Sequence, residues 1–221
     1  MVLTLHHFPP SAPSRAALLT AKAIGLDIDV QIVNLFKKEQ LSEDFIKINP
    51  QHTIPTLVDG DFIVWDSHAI GPYLATVYGK DPTFYPTDVK KRAIVDQRLY
   101  FDCGTLYPRI RAICFPILFL GEDQILDENK QPLEEALGFL DVFLDGSSYV
   151  AGDKFTVADC SLAASVSSIV AIGWDIKAYN NVNNWLARCA LTIPGYEETN
   201  QAGANEFGKA VRSKMAAGQL P

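Results

Sequence analysis

The stretch from Val2 to Gly25 restricts the fold most. Val2-Leu3-Thr4-Leu5-His6-His7 alternates with the two-residue period of a strand. Ala16 to Ile24 is a helix-forming run that stops at Gly25, a natural C-terminal cap. Between them, Phe8-Pro9-Pro10-Ser11-Ala12-Pro13-Ser14-Arg15 must turn a strand into a helix. Pro13 suits the first helical turn, where its missing N–H costs nothing. Ser11 therefore sits beside a helix N-terminus, whose free N–H groups and partial positive charge favour an anion. Ser11-Ala12-Pro13-Ser14 has the spacing of a Cys-x-x-Cys redox loop without its sulfurs. A thiol that reacts at this loop must come from a ligand.

The next segments build a sheet on that unit. Asp27 to Val33 alternates polar and apolar, the period of a half-buried strand. Ser42 to Lys47 is a short helix candidate and Asn49-Pro50-Gln51-His52-Thr53 a loop. Pro55 enters the strand Thr56-Leu57-Val58, and a cis bond is compatible with that place. Asp59-Gly60 is a hairpin turn, since glycine accepts positive φ. Phe62-Ile63-Val64-Trp65 returns as its partner strand. Asp66-Ser67 then opens a helix through Ala69, Ile70, Tyr73, Leu74 and Val77. A crossover helix makes the first two strands parallel and the hairpin adds an antiparallel pair. The expectation for residues 1–79 is an α/β thioredoxin-like domain with a mixed sheet.

Lys80 to Thr87 holds two prolines and no periodicity, so 80–87 reads as a linker. Residues 88–221 read as an all-α domain. A long pattern from Asp88 to Leu120 contains Pro108 and Pro116, which predict a kink or interruption. Pro132 is expected to start a helix that ends before Gly146. Thr156-Val157-Ala158-Asp159 has the spacing of a capping box, with Phe155 and Cys160 at the staple positions. The run Leu162 to Ile172 is apolar nearly all round, so it belongs at the centre of its domain. A helix beginning near Asn183 ends at Pro194-Gly195, and Asn205 to Met215 is a weakly amphipathic helix.

Composition excludes several classes. The net charge of -7, without a basic cluster, argues against nucleic acid as a partner. No apolar run looks long enough to span a bilayer, and the first residues lack the pattern of a signal peptide. Cys103, Cys114, Cys160 and Cys189 show no paired spacing and are expected as buried free thiols in a reducing compartment. His6 and His7 cannot face one side of a strand, so no metal pair is expected there, and no metal elsewhere.

The chain resembles the cytosolic glutathione transferases over essentially its whole length. The residues that carry this are Ser11 to Arg15, Asn49 to Leu57, Trp65-Asp66-Ser67-His68-Ala69-Ile70 and Phe155-Thr156-Val157-Ala158-Asp159. Asn-Pro-Gln-His-Thr-Ile-Pro points to the insect delta and epsilon classes. Asp66-Ser67-His68 together with Asp96-Gln97-Arg98-Leu99 looks more like epsilon. The resemblance implies a cytoplasmic homodimer with glutathione as co-substrate and hydrophobic small-molecule electrophiles as second substrates. It implies a cis Pro55. Ser11 matches the catalytic serine, and His52 and Ile54 match residues holding the glycyl and cysteinyl parts. Asp66, Ser67 and His68 match the γ-glutamyl site. Gln40 stands where relatives place a histidine. Arg111 matches an arginine of the epsilon second-substrate site, where Phe115 replaces a charged side chain of some relatives.

The residues have plainer readings too. Ser11 is equally a turn serine that caps a helix, and Asp66-Ser67 a plain helix start. In the functional reading, the Ser11 hydroxyl donates to the glutathione sulfur and favours the thiolate. Tyr107, Arg111, Phe115 and Phe119 share a helical face. A charge in that stripe suits a cleft better than a dry core, and Pro13, Leu35 and Phe36 would form its other wall. The enzyme expected is a glutathione S-transferase. Its possible tasks include detoxification of xenobiotics such as insecticides, and peroxidase or dehydrochlorinase side activity. The alternative is a non-catalytic carrier of glutathione or apolar ligands, since fold alone does not decide between them.

Overall fold

A computed structural model describes residues 3–216. Val2, the first residue of the expected strand, and residues 217–221 lie outside the described residues. β1 (Leu3–His7) leads into α1 (Ala12–Ala23), then β2 (Asp29–Ile32) and α2 (Glu43–Ile48). β3 (Thr56–Asp59) and β4 (Phe62–Trp65) form the hairpin, and α3 (Ser67–Val77) comes next. The sheet order is β2-β1-β3-β4. β1 and β2 are parallel, while β3 runs antiparallel to both β1 and β4. This is the thioredoxin-like arrangement expected from the sequence.

Local chemistry places the ends of these elements. Gly60 takes φ 65° in the hairpin loop, the region where a side chain would clash. Gly25, at φ 70°, ends α1 in the same way. The sheet core is Leu5, Leu57, Ile70 and Leu74 with Ala17 and Ala21, all buried between strands and helices. β2 departs from expectation: each of its four residues is exposed. Its alternation is real, but it is an edge strand, and Ile32 remains 56% exposed.

The remaining elements are helical: α4 (Val89–Phe101), α5 (Tyr107–Phe115), α6 (Asp127–Phe143), α7 (Val157–Ile172), α8 (Asn180–Thr192) and α9 (Ala202–Arg212). α7 is the hub. Its residues from Val157 to Ile169 are all buried, and it packs on α1, α3, α4, α8 and α9. The capping box forms: the Thr156 N–H and hydroxyl both donate to Asp159 Oδ2, at 2.7 and 3.0 Å. Gly71 lets α3 approach α7 closely, because a Cβ there would stand 2.7 Å from Val157. Residues 80–87 are irregular but anchored. Phe84 is buried, and its carbonyl accepts from the Val157 N–H at 3.1 Å.

The expectations for this helical part fare differently. Val89 to Leu120 is one helical run whose α ladder is interrupted, as expected, by two π-turns, Asp102–Leu106 just before Pro108 and Pro116–Leu120 at Pro116. By length and composition this run could cross a membrane, contrary to the sequence reading; here Leu99, Leu106, Ile110, Ile113 and Ile117 are core residues. Pro132 does not start α6, which begins at Asp127 and carries the proline inside. Cys103 is exposed, while Cys114, Cys160 and Cys189 are buried. The first π-turn explains Cys103, because it turns Asp102 inward and the next residue out.

Candidate functional site

Ser11 is the N-cap of α1, which starts at Ala12 rather than Ala16. Its Oγ accepts from the Ser14 N–H at 3.4 Å, a long bond that leaves the hydroxyl proton free. The cap and a donor to a ligand are therefore compatible roles for one hydroxyl. Ser14 is fully buried, accepts from the Phe8 N–H at 3.0 Å and touches His7 Nδ1 at 2.9 Å. It fixes the loop and is closed to a ligand. Burial pushes the His7 pKa down to about 4.

Ser11 lines a cleft of about 450 Å³ between α1, the Leu35–Leu41 turns, the His52–Ile54 loop and the face of α5. Leu35, Phe36, His52, Ile54, Tyr107, Arg111, Phe115 and Phe119 line it as well. Phe36 bridges the walls: its ring is 5.3 Å from Phe8 and 6.0 Å from Phe119. Phe115 stands 5.0 Å from Phe119, and the Arg111 guanidinium lies 4.1 Å over the Phe115 ring. Arg111 is exposed rather than buried, so it needs no partner in a dry core. Pro13 is not among the lining residues; Pro10 and Ala12 hold that wall instead.

Polar lining is biased in charge. Lys38, His52 and Arg111 contribute, and no carboxylate lines the cleft among the described residues. Gln40 presents a buried Oε1 with no hydrogen-bond partner there. Asn49, fully buried, holds the neighbouring loop by donating to Thr53 O and Thr56 Oγ1 at 3.0 Å each. Backbone strain gathers at this end of the molecule. Lys38 (φ 61°), His52 (φ 45°) and Asp66 (φ 73°) are non-glycine residues at positive φ. Such outliers cost free energy and collect at functional sites.

Pro55, Asp66, Ser67 and His68 lie outside the cleft lining. Ile54-Pro55 is cis. Asp66 caps α3, accepting from the His68 N–H at 2.8 Å, and Ser67 is buried. His68 is gripped from both sides: Nδ1 is 3.0 Å from Asp66 Oδ1 and Nε2 is 3.1 Å from Asp102 Oδ2. Asp102 Oδ2 also accepts from Ser161 Oγ at 2.6 Å. Burial alone would lower the His68 pKa, but the bonds to Asp102 and Asp66 outweigh it and raise it to about 10. The bond from His68 in turn holds the Asp66 pKa below its ordinary value.

Comparison with known proteins decides what this architecture is. The model for the glutathione S-transferase N-terminal domain matches residues 1–76, and that for the C-terminal domain matches residues 123–188. Glutathione S-transferase D7 of Anopheles gambiae is 43% identical over 218 residues, covering 97% of this chain and 99% of its own. The chain belongs to the glutathione S-transferases. The structure of glutathione S-transferase unclassified 2 from Bombyx mori superposes with a TM-score of 0.93 at 53% identity, covering 98% of this chain and 100% of its own. An epsilon-class transferase from Musca domestica gives 0.91 at 45% identity, covering 96% and 98%. The likeness is to insect enzymes without singling out one class, and glutathione is the co-substrate of the family.

The transferase cleft contains residues that the sequence pattern did not single out. Ile110, Cys114 and Leu118 line it and alternate with Tyr107, Arg111 and Phe115 on one stripe. Three-residue steps on that face were the available signal. Ser168 of α7 and Phe207 of α9 reach the cleft from far along the chain, and nothing local marks them. Asp102 likewise meets His68, and Ser161 meets Asp102, only through the fold.

Proposed function

We propose that this transferase joins the glutathione thiolate to hydrophobic electrophiles at Ser11. The observation that carries the reading is the Ser11 hydroxyl, free to donate from a helix N-terminus into a largely apolar cleft that no carboxylate lines among the described residues. A hydrogen bond to the sulfur and the positive helix end both favour thiolate over thiol. The thiolate then attacks the electrophile held beside it, the leaving group departs, and the thiol proton goes to solvent. Holding both reactants in one cleft supplies the rest of the rate.

In this reading His52 and Ile54 hold the glycyl and cysteinyl parts, with Pro55 shaping that backbone. Asp66, Ser67 and His68 hold the γ-glutamyl end, where Asp66 accepts the α-ammonium. Leu35, Phe36, Tyr107, Arg111, Phe115 and Phe119 form the second-substrate wall. Residues 1–79 carry glutathione and residues 88–221 the electrophile, across the 80–87 linker. The physiological role is a cytoplasmic, epsilon-type detoxification of apolar xenobiotics, insecticides among them. The assembly is a homodimer: Phe62, Val77, Val89, Ile94 and Tyr100 are exposed apolar residues on β4, α3 and α4. Sedimentation velocity should give twice the 24.3 kDa of one chain; a monomer would refute that assembly.

The Ser11→Ala variant tests the core of the proposal. A hydrogen bond to a charged group is worth about 1.5–3 kcal/mol, so turnover at neutral pH should fall roughly tenfold to a hundredfold. The pKa of bound glutathione, followed by ultraviolet difference absorbance, should rise. Retention on immobilised glutathione should persist. A variant that titrates and turns over like the parent would reduce Ser11 to a helix cap.

A further inference from the structure

The exposed thiol of Cys103 does not stand alone. The π-turn that buries Asp102 against His68 sets Cys103 at the outer edge of the same cluster. One ligand atom each from Asp66, His68 and Cys103 lies within 4.8 Å of the others. Carboxylate oxygen, imidazole nitrogen and thiolate sulfur are the donors that borderline-soft divalent ions take. We propose that these three side chains form a binding site for a thiophilic divalent cation such as Zn²⁺, and that its occupation excludes the γ-glutamyl end of glutathione. Only the exclusion rests on the function proposed above; the metal site does not.

The support around the cluster is already built. Histidines that ligate zinc usually donate their second ring N–H to a carboxylate, which fixes the ring and strengthens the ligating nitrogen. His68 Nε2 has that partner in Asp102 at 3.1 Å, and Asp102 is buried and held by Ser161. Nδ1 remains to face the ion. It is 3.0 Å from Asp66 Oδ1, so the cation takes the place of a proton between those two atoms. Binding releases that proton and the proton of the Cys103 thiol. Asp102 Oδ1 is buried without a hydrogen-bond partner among the described residues. Two carboxylates therefore flank one imidazole, and exchange of the two released protons for one divalent cation leaves the charge of the cluster unchanged.

The spacing is within reach. Zinc–nitrogen and zinc–sulfur bonds of about 2.0 and 2.3 Å set tetrahedral ligand atoms roughly 3.5 Å apart. Rotation of the exposed Asp66 and Cys103 side chains closes the present gaps, and the same exposure gives the ion access from solvent. The fourth position is left to water. The expectation of no metal was argued from His6-His7; here the fold brings Cys103 to the neighbouring Asp66 and His68.

Titration of the intact protein with Co²⁺ tests the site. The parent should show a saturable thiolate-to-cobalt charge-transfer band at one equivalent, removed by Zn²⁺. Cys103→Ser, at an exposed position, should abolish the band. His68→Gln should weaken Co²⁺ at least tenfold. No saturable band in the parent, or an equal band in Cys103→Ser, overturns the metal site. S-methylglutathione, whose sulfur is blocked, should weaken Co²⁺ binding at fixed free Co²⁺. If it does not, while metal-free parent still binds immobilised glutathione, the exclusion is overturned. If metal-free parent does not bind immobilised glutathione, the glutathione reading itself fails and the metal result stands apart.

Discussion

Arg15→Met removes a side chain that ties the Ser11 loop to the helical part of the molecule by hydrogen bonds. Arg15 is fully buried. Its Nη1 donates to Pro9 O and Pro10 O at 3.3 and 2.8 Å, the two carbonyls that precede Ser11. Nη2 donates to Ala164 O and Ser168 Oγ of α7, at 2.9 and 2.6 Å. Nε donates to Asn200 Oδ1 at 3.0 Å. Every acceptor is neutral, so the charge is solvated by the fold rather than paired. Burial lowers its pKa to about 10, which leaves it a cation at neutral pH. Ala164 O and Asn200 Oδ1 keep other donors from Ser168 and Ser167; the two loop carbonyls lose the donor they have in Arg15. Each buried unsatisfied acceptor costs about 1–3 kcal/mol, so Arg15→Met should lose roughly 2–6 kcal/mol. That is a large share of a stability of about 5–15 kcal/mol.

Urea unfolding reads that loss directly, provided the slope stays constant. Arg15→Lys separates charge from geometry. A lysine keeps the cation behind the loop but cannot reproduce the guanidinium fork. Both variants should lose stability and turnover. The bound-glutathione pKa should rise more in Arg15→Met, which alone removes the nearby positive charge. A loss under about 1 kcal/mol, the least that one unsatisfied acceptor costs, with unchanged kcat would show that the loop holds its shape without this clamp, and the reasoning would fail.

Two further outcomes are expected. The ordinary His7 pKa of 6.5 falls to about 4 in the fold, so between those values the unfolded chain binds more protons. Stability should therefore drop as pH falls from 6.5 toward 4, by up to roughly 3 kcal/mol, and His7→Gln should flatten that part of the curve of urea midpoint against pH. An unchanged slope in the variant would assign the acid sensitivity elsewhere. Arg111→Ala and Phe115→Ala should each shift kcat/KM among second substrates severalfold while calorimetry finds glutathione affinity nearly unaltered; loss of glutathione binding with unaltered selectivity would move the second-substrate wall off α5.

How local each cause is decides whether the sequence discloses it. The hairpin at Gly60, the stop at Gly25 and the box of Thr156 and Asp159 each need only a few neighbouring residues. They can be read from the chain alone. The burial of β2 cannot, because its alternation is the same at an edge or in the middle of a sheet, and only the order β2-β1-β3-β4 makes it an edge. The α5 wall was legible as a stripe. Phe207 and Ser168 were not, since they reach the Ser11 cleft through the packing of α7 on α1 and of α9 on α7. His68 was visible, whereas its partner Asp102 and the Ser161 that holds Asp102 come from other segments of the chain.

The prolines of the long helix show how a local rule foretells a break in the ladder while the fold decides its form. A proline inside an α-helix removes one N–H and leaves a carbonyl one turn back without a donor. Here Pro108 comes just after one π-turn and Pro116 opens the next, so each sits where the ladder is already changing register. The Tyr107 N–H reaches back to Asp102 O in the wider π pattern. Pro116 cannot serve Ala112 O, and Asn129 of α6 donates to that carbonyl at 3.1 Å instead. Each extra residue rotates the later turns by about 100° relative to an unbroken α-helix. Before the first π-turn, Leu99 points to the core; within it, Asp102 points to His68 and Cys103 to solvent; after it, Tyr107, Arg111 and Phe115 line the cleft. The rotations let one continuous helix serve the core, the α3 cluster and the substrate wall in turn, an arrangement that an uninterrupted α-helical repeat would not supply.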